Sequence, residues 1–235
     1  MSGYFIFDGK DSRDYEIPVF FKSVDDVPEP EYEKYSVAGR NGDLVISRNR
    51  YSNIDHVYDM VTYGDNHDLL REFISDLASV KGYKRLTDSF NTAEFYRARF
   101  KGIYEMNTWR DRDSSRFELQ FDRDPRRFLI TGEIKQTVPN NGSISNPTAF
   151  PAKPLIRVTG YGTLTVGSDV ITIAQNFAYV DIDSEIGDCY HGTDNANASV
   201  SFQQNGFPEL APGATGIAYS GNITKVEITP RWWRL

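Results

Sequence analysis

The sequence predicts a mainly β protein in two parts: an α+β N-terminal half built of sheets and one helix, and a C-terminal half that forms an antiparallel β-sandwich. Three observations carry this expectation. Charge density falls abruptly along the chain, because residues 1–135 hold 21 basic and 25 acidic residues whereas 136–235 hold 5 and 8. At the join, Pro139, Asn140, Asn141, Gly142, Pro147, Pro151 and Pro154 cluster as an interdomain linker would, which places the domains at 1–135 and 136–235. A single segment has convincing helical periodicity, while apolar residues elsewhere recur in short alternating runs.

Each element has its own local signal. "GYFIF" is a short apolar strand closed by Asp8-Gly9, and "VAGRNGDLVIS" sets Asn41-Gly42 between strand-like flanks, the pattern of a tight hairpin. In "DNHDLLREFISDLASVKGY", Leu69, Leu70, Phe73, Ile74, Leu77 and Val80 recur at three- and four-residue spacing, which predicts a helix lying across a sheet. Asp65 or Asn66 is positioned to cap its start and Gly82 to end it. Tyr96, Ala98 and Phe100 alternate with Arg97 and Arg99, and Phe117, Leu119 and Phe121 with Glu118, Gln120 and Asp122, so both runs read as half-buried strands. Beyond residue 136, runs such as "PLIRVTGYGTLTVGSDVITIA", "AYVDID" and "ITKVEITPRWW" are β-branched or aromatic and separated by turn residues. Val226 and Ile228 share one strand face, and the same parity sends Trp232 to the core with them and Trp233 and Leu235 to the other side.

Composition limits what the protein does. With 235 residues, 39% hydrophobic and 14% aromatic, the chain has the material for one large or two small cores, and disorder throughout is excluded. A net charge of -7 disfavours adhesion to nucleic acid or anionic membrane by bulk electrostatics. No apolar run approaches the length of a membrane span, and "MSGYFIFDGKDSRD" has neither a basic head nor a long apolar stretch, so a chain made and kept in a cytosol is expected. Cys189 is the single cysteine; it reads as a small packed residue, with no internal disulfide or multi-cysteine metal site.

Catalytic patterns are weak. His56, His67 and His191 form no metal-ligand spacing and read as scattered surface residues, and no nucleophile elbow or phosphate-binding glycine loop occurs. "DIDSE" offers Asp181, Asp183 and Glu185 on one side of a strand, three carboxylates suited to a hard cation such as Ca²⁺; alternatively Val180 and Ile182 point inward and the acids form the wet face. Neither a catalytic group nor a cofactor is expected. "RDRDSSR" and "DRDPRR" interleave opposite charges, the pattern of a salt-bridged surface or, for Arg123, Arg126 and Arg127, of an interface.

Taken in order, "FIFDGKDSRDYEI", "AGRNGDL", the amphipathic helix, "GYKRLTDSFNTAEFYRARF", "FDRDPRRFL", "NPTAFPAKPLIRVTGYGTLTV" and "PRWWRL" resemble the distal tail proteins of siphophages that infect Gram-positive bacteria. The resemblance is colinear over essentially the whole chain and departs at Ala38, where many relatives carry proline. It implies a structural hub and not an enzyme: a homo-hexameric ring, or two rings back to back, that joins the tail tube protein to tail-associated, fibre or receptor-binding baseplate proteins, with a channel through which DNA passes. It also implies a ring-forming N-terminal domain, a galectin-like C-terminal sandwich, and a place in the virion tail tip after assembly in the host cytoplasm. Trp233 joins the arginines as an interface candidate. A competing expectation is a carbohydrate-binding module that reads host cell-wall saccharide through Trp232, Trp233, Tyr161 or Tyr179.

Overall fold

The computed structural model describes residues 3–23, 27–63, 66–109, 114–204 and 206–235, with side chains omitted at 67 and 104–109. The chain separates into two compact units, residues 1–127 with 235, and residues 128–234.

In the first unit the strands are β1 (Phe5–Phe7), β2 (Lys10–Asp11), β3 (Val19–Lys22), β4 (Pro30–Tyr35), β5 (Leu44–Tyr51), β6 (Ile54–Tyr63), β7 (Lys84–Asp88), β8 (Glu94–Trp109) and β9 (Ser114–Leu129), and the helix is α1 (His67–Ser79). One sheet runs in the order β2-β1-β7-β8-β9-β6-β3, and β4 pairs with β5 in a separate two-stranded sheet. Asp8 and Gly9 both take positive φ, 49° and 82°, and make the two-residue turn that pairs Phe7 with Lys10. The pleat then sorts each long strand: Tyr58 and Met60 of β6 and Phe117, Leu119 and Phe121 of β9 enter the core together. Helix α1 closes that core with Leu70, Phe73 and Leu77, and Phe73 lies against Phe5 and Tyr15 at ring distances of 5.8 and 4.8 Å.

Two local expectations change in detail. Asn66 is the N-cap of α1 but its side chain makes no capping bond, and Asp65 falls outside the described residues. The Asn41-Gly42 hairpin forms with a longer loop than a tight turn gives, since Tyr35 pairs with Leu44 and residues 36–43 connect them. A first turn from Val37 to Arg40, with the Arg40 amide donating to the Val37 carbonyl at 3.2 Å, takes up the extra length.

The second unit is antiparallel throughout its strand pairs. Its strands are β10 (Gln136–Val138), β11 (Gly142–Asn146), β12 (Leu155–Thr159), β13 (Gly162–Val166), β14 (Asp169–Ile173), β15 (Tyr179–Asp183), β16 (Asp188–His191), β17 (Asp194–Asn195), β18 (Val200–Phe202), β19 (Gly213–Gly221), β20 (Lys225–Thr229) and β21 (Trp233–Arg234). All but β21 form two sheets, β10-β20-β12-β15-β16-β17 and β11-β19-β13-β14-β18, around an aliphatic core that includes Val158, Leu164, Ile171, Ile182, Ile217 and Val226. The segment expected to be a linker is strand instead: β10 pairs with β20 and β11 with β19. Its prolines and asparagines serve as turns, and Asn146, buried, donates its amide to the carbonyls of Phe150 and Leu210 at 2.8 and 3.0 Å.

The chain end is pinned by backbone. Arg231 donates to the Gly132 carbonyl at 2.7 Å, Leu129 donates to the Trp232 carbonyl at 2.9 Å, and a Cβ on Gly132 would stand 2.4 Å from the Trp232 nitrogen, so only glycine allows the approach. Trp232 is buried with Val226 and Ile228, while Trp233 stacks on Phe150 at 4.5 Å and donates its indole N–H to the Pro151 carbonyl. Replacing Trp232 by Ala is expected to destabilise the second unit by about 3 to 5 kcal/mol; thermal unfolding of the variant checks this, and an unchanged melting temperature contradicts it.

Candidate functional site

The first unit carries one element without a covered face. In the β4–β5 hairpin, Tyr35 opposes Leu44 and Glu33 opposes Ile46, so these four share one face, while Tyr32 and Val45 lie on the other. Leu44, Val45 and Ile46 are 40%, 51% and 48% exposed, three consecutive apolar residues in water. Polar contacts line the hairpin: Arg48 Nε donates to Glu33 at 2.9 Å, the Tyr35 hydroxyl donates to the same carboxylate at 2.5 Å, and Arg50 pairs with Glu31 at 3.0 Å. The Tyr35 hydrogen bond, followed by that of Arg48, holds the Glu33 carboxyl below the usual carboxylate range. A two-stranded sheet of this kind gains little stability alone, and its edges and apolar side chains suit a partner.

A second apolar surface lies at the edge of the larger sheet. Register shifts between Val19 and Phe21 of β3, and this bulge turns Phe20 and Phe21 outward together, 54% and 56% exposed. They flank a groove of about 450 Å³ with Val61 and Tyr63, beside the ion pair of Asp59 and Arg116.

The arginines expected at an interface occupy three settings. Arg123 is buried, because strand parity puts it on the core face with Phe117, Leu119 and Phe121, and its guanidinium lies 4.5 Å from the Tyr96 ring centre. It therefore faces the interior of its own unit and not a partner. Arg126 binds Asp124 through Nε and Nη2 at 3.0 and 2.9 Å, and Arg127 approaches buried Glu94 at 3.6 Å and also donates to the Leu235 carbonyl. Both half-buried side chains are met by acceptors of the same chain.

Two of the three acids of "DIDSE", Asp181 and Asp183, are each taken up by an arginine. Arg157 makes a two-pronged pair with Asp181 at 2.7 and 2.7 Å, and Arg231 does the same with Asp183 at 2.6 and 2.8 Å. Val180 and Ile182 do point inward, but Asp181 and Asp183 are also buried under those arginines, so they are not a wet face. Burial pushes the Asp183 carboxyl up, and Arg231 with the amides of Glu185 and Ile186 more than reverses this, leaving it below its ordinary value. Among the described residues no group of three or more His, Cys, Asp or Glu is arranged to hold a metal ion. Cys189 is buried, and burial pushes its thiol up to about 12.

A buried polar cluster in the first unit escaped the sequence reading. Lys22 donates to the Tyr96 hydroxyl at 2.9 Å and lies 3.5 Å from Asp88, whose other contacts are the Tyr58 hydroxyl at 2.9 Å and the amides of Phe90 and Asn91. His56 belongs here and not on the surface: it sits in the same parity as Tyr58 and Met60, with ring distances of 4.7 Å to Tyr58 and 5.5 Å to Tyr96. That parity was the available signal. Burial, then the charges of Arg123 and Lys22, holds its imidazole well below the usual histidine range. His191 is half-buried instead, stacked on Phe177, and the side chain of His67 lies outside the described residues.

No protein-family model and no curated protein matches the sequence. The crystal structure of the Dit protein of phage SPP1, described as a paradigm of the hub adsorption apparatus in phages infecting Gram-positive bacteria, aligns over 100% of both chains with a TM-score of 0.73 at 16% identity. The chain has the fold of that hub protein. Two structures of the phage P2 baseplate in its activated conformation, with Ca and with Sr, cover 97% of this chain and 98% of theirs at 12% and 11% identity, and their TM-scores of 0.46 are too low to add to the assignment. Among the described residues no helix is long and apolar enough to cross a membrane.

The buried imidazole sets a pH dependence. Its native pKa is depressed below the ordinary 6.5, so the unfolded chain binds the proton more readily, and the stability gained from the neutral native imidazole is complete above pH 6.5 and is lost as pH falls below it. The loss approaches about 1.4 kcal/mol per pH unit for one proton. Chemical denaturation at a series of pH values should therefore give a steeper acid decline for the wild type than for His56→Gln; parallel declines would contradict this placement of His56.

Proposed function

We propose that this chain is a structural hub of a siphophage tail tip or baseplate and not an enzyme. Six copies close head to tail into a ring, singly or as two rings back to back, which joins the tail tube protein to tail-associated, fibre or receptor-binding baseplate proteins and leaves a channel for DNA. The ring belongs to the virion tail tip and is assembled in the host cytoplasm. The observation that carries this reading is agreement in fold with the SPP1 hub protein over the full length of both chains. Fold alone does not fix function, so the surface must supply a way to assemble.

The β4–β5 hairpin supplies it. Its exposed Leu44, Val45 and Ile46 give each copy an apolar element to offer a neighbour, and a repeated head-to-tail contact closes into a ring when the rotation per copy permits. The net charge of -7 suits a passage for DNA, because a strongly basic lumen would retain phosphates. Saccharide recognition by the sandwich gains no support from three of the four aromatic rings named for it. Trp232 is buried, Trp233 is stacked on Phe150, and Tyr179 lies between the Arg157 guanidinium at 4.4 Å and the His191 ring at 4.2 Å.

The double variant Leu44→Ser, Ile46→Ser tests the role of the hairpin. Sedimentation should report hexamers or paired hexamers for the wild type and smaller species for the variant, with stability within about 0.5 kcal/mol because both side chains are exposed. A variant that assembles like the wild type would remove the hairpin from the contact.

A further inference from the structure

The loop that closes the hairpin carries chemistry of its own. Asn41 and Gly42 are exposed, and among the described residues neither makes a hydrogen bond, so the Gly42 amide is open to base. Gly42 has φ of +84° and nothing within 4 Å of where a Cβ would stand, so neither its own side chain nor a neighbour hinders approach of its nitrogen to the preceding side chain.

The same dipeptide at Asn141-Gly142 is built differently. There the Gly142 amide donates to the Pro139 carbonyl at 3.0 Å, Gly142 pairs with Ile217 in the sheet, and Asn141 is held in a left-handed conformation at φ 58°. A Cβ on Gly142 would be 2.8 Å from the Pro139 carbonyl oxygen, so that turn leaves little room to rearrange. A third pair, Asn205-Gly206, begins outside the described residues.

We propose that Asn41 is a site of spontaneous deamidation, a covalent modification that the fold permits at the hairpin loop and suppresses at Asn141. The Gly42 backbone nitrogen, having lost its proton to base, attacks Asn41 Cγ. The Cγ–Nδ2 bond breaks, the side-chain nitrogen leaves as ammonia, and a five-membered imide remains. Water then adds to either carbonyl of the imide and opens it to aspartate or isoaspartate, with no change of oxidation state. Either product adds a negative charge beside Asp43, and isoaspartate also lengthens the main chain of the loop by one methylene. Resting on the hub reading above, the consequence is weaker assembly, since each head-to-tail contact then has to desolvate a new charge close to the apolar Leu44 that it covers.

Two readouts keep the site and its consequence apart. Peptide mass spectrometry of folded protein aged in buffer should find a one-dalton gain at Asn41, faster at mildly alkaline than at mildly acidic pH and lost in Asn41→Gln, with Asn141 unchanged until the protein is unfolded. An intact Asn41, or equal conversion of Asn141 in the folded protein, overturns the site. Sedimentation of Asn41→Asp against Asn41→Gln should give fewer assembled copies for the aspartate. Equal assembly of the two overturns the consequence and leaves the site standing, whereas absence of assembly in the wild type overturns the hub reading without touching the mass result.

Discussion

A two-stranded β-sheet cannot cover its own apolar residues. The β4–β5 hairpin pairs through backbone hydrogen bonds and is held by arginine–glutamate contacts on one face, yet Leu44, Val45 and Ile46 remain in water. Exposed apolar residues on a strand edge are a hazard unless a partner covers them. In the core of the unit the opposite holds: Phe5, Tyr58, Phe73 and Phe121 interlock at ring distances between 4.7 and 5.9 Å, and the helix seals what the sheet leaves open. One unit thus carries both a closed core and an open arm.

Charge in this protein serves positioning. Arg157–Asp181 ties the neighbouring strands β12 and β15, Arg231–Asp183 fastens the segment after β20 to β15, and Arg231 also donates its backbone amide to the Gly132 carbonyl. Each buried carboxylate has a guanidinium fork, which satisfies it and leaves it poorly suited to chemistry. The same logic in the first unit assigns Asp88 to Lys22 and Tyr58.

Much of the fold was legible because period decides which side chains meet. Spacing of Leu70, Phe73 and Leu77 located the helix, and alternation of Phe117, Leu119 and Phe121 located a core strand. The parity of Trp232 with Val226 and Ile228 placed the terminal tryptophan. Arg123 and His56 were misjudged because residue type was allowed to outweigh parity; each continues an inward-facing series and is housed among tyrosines. The segment after residue 136 was misjudged because Pro, Asn and Gly mark turns as readily as linkers, and here they separate two short strands that pair with distant β19 and β20. Nothing local reveals such partners. The bulge that turns both Phe20 and Phe21 outward was equally hidden, since an extra residue in one strand is defined only against its neighbour.

Self-association through an uncovered arm is the central claim, and direct imaging tests it. Electron microscopy of the purified full-length chain, sorted into class averages without imposed symmetry, should yield closed rings of six copies with an open centre, seen singly or as stacked pairs. Fields of isolated single copies at concentrations well above those of ordinary purification would contradict it.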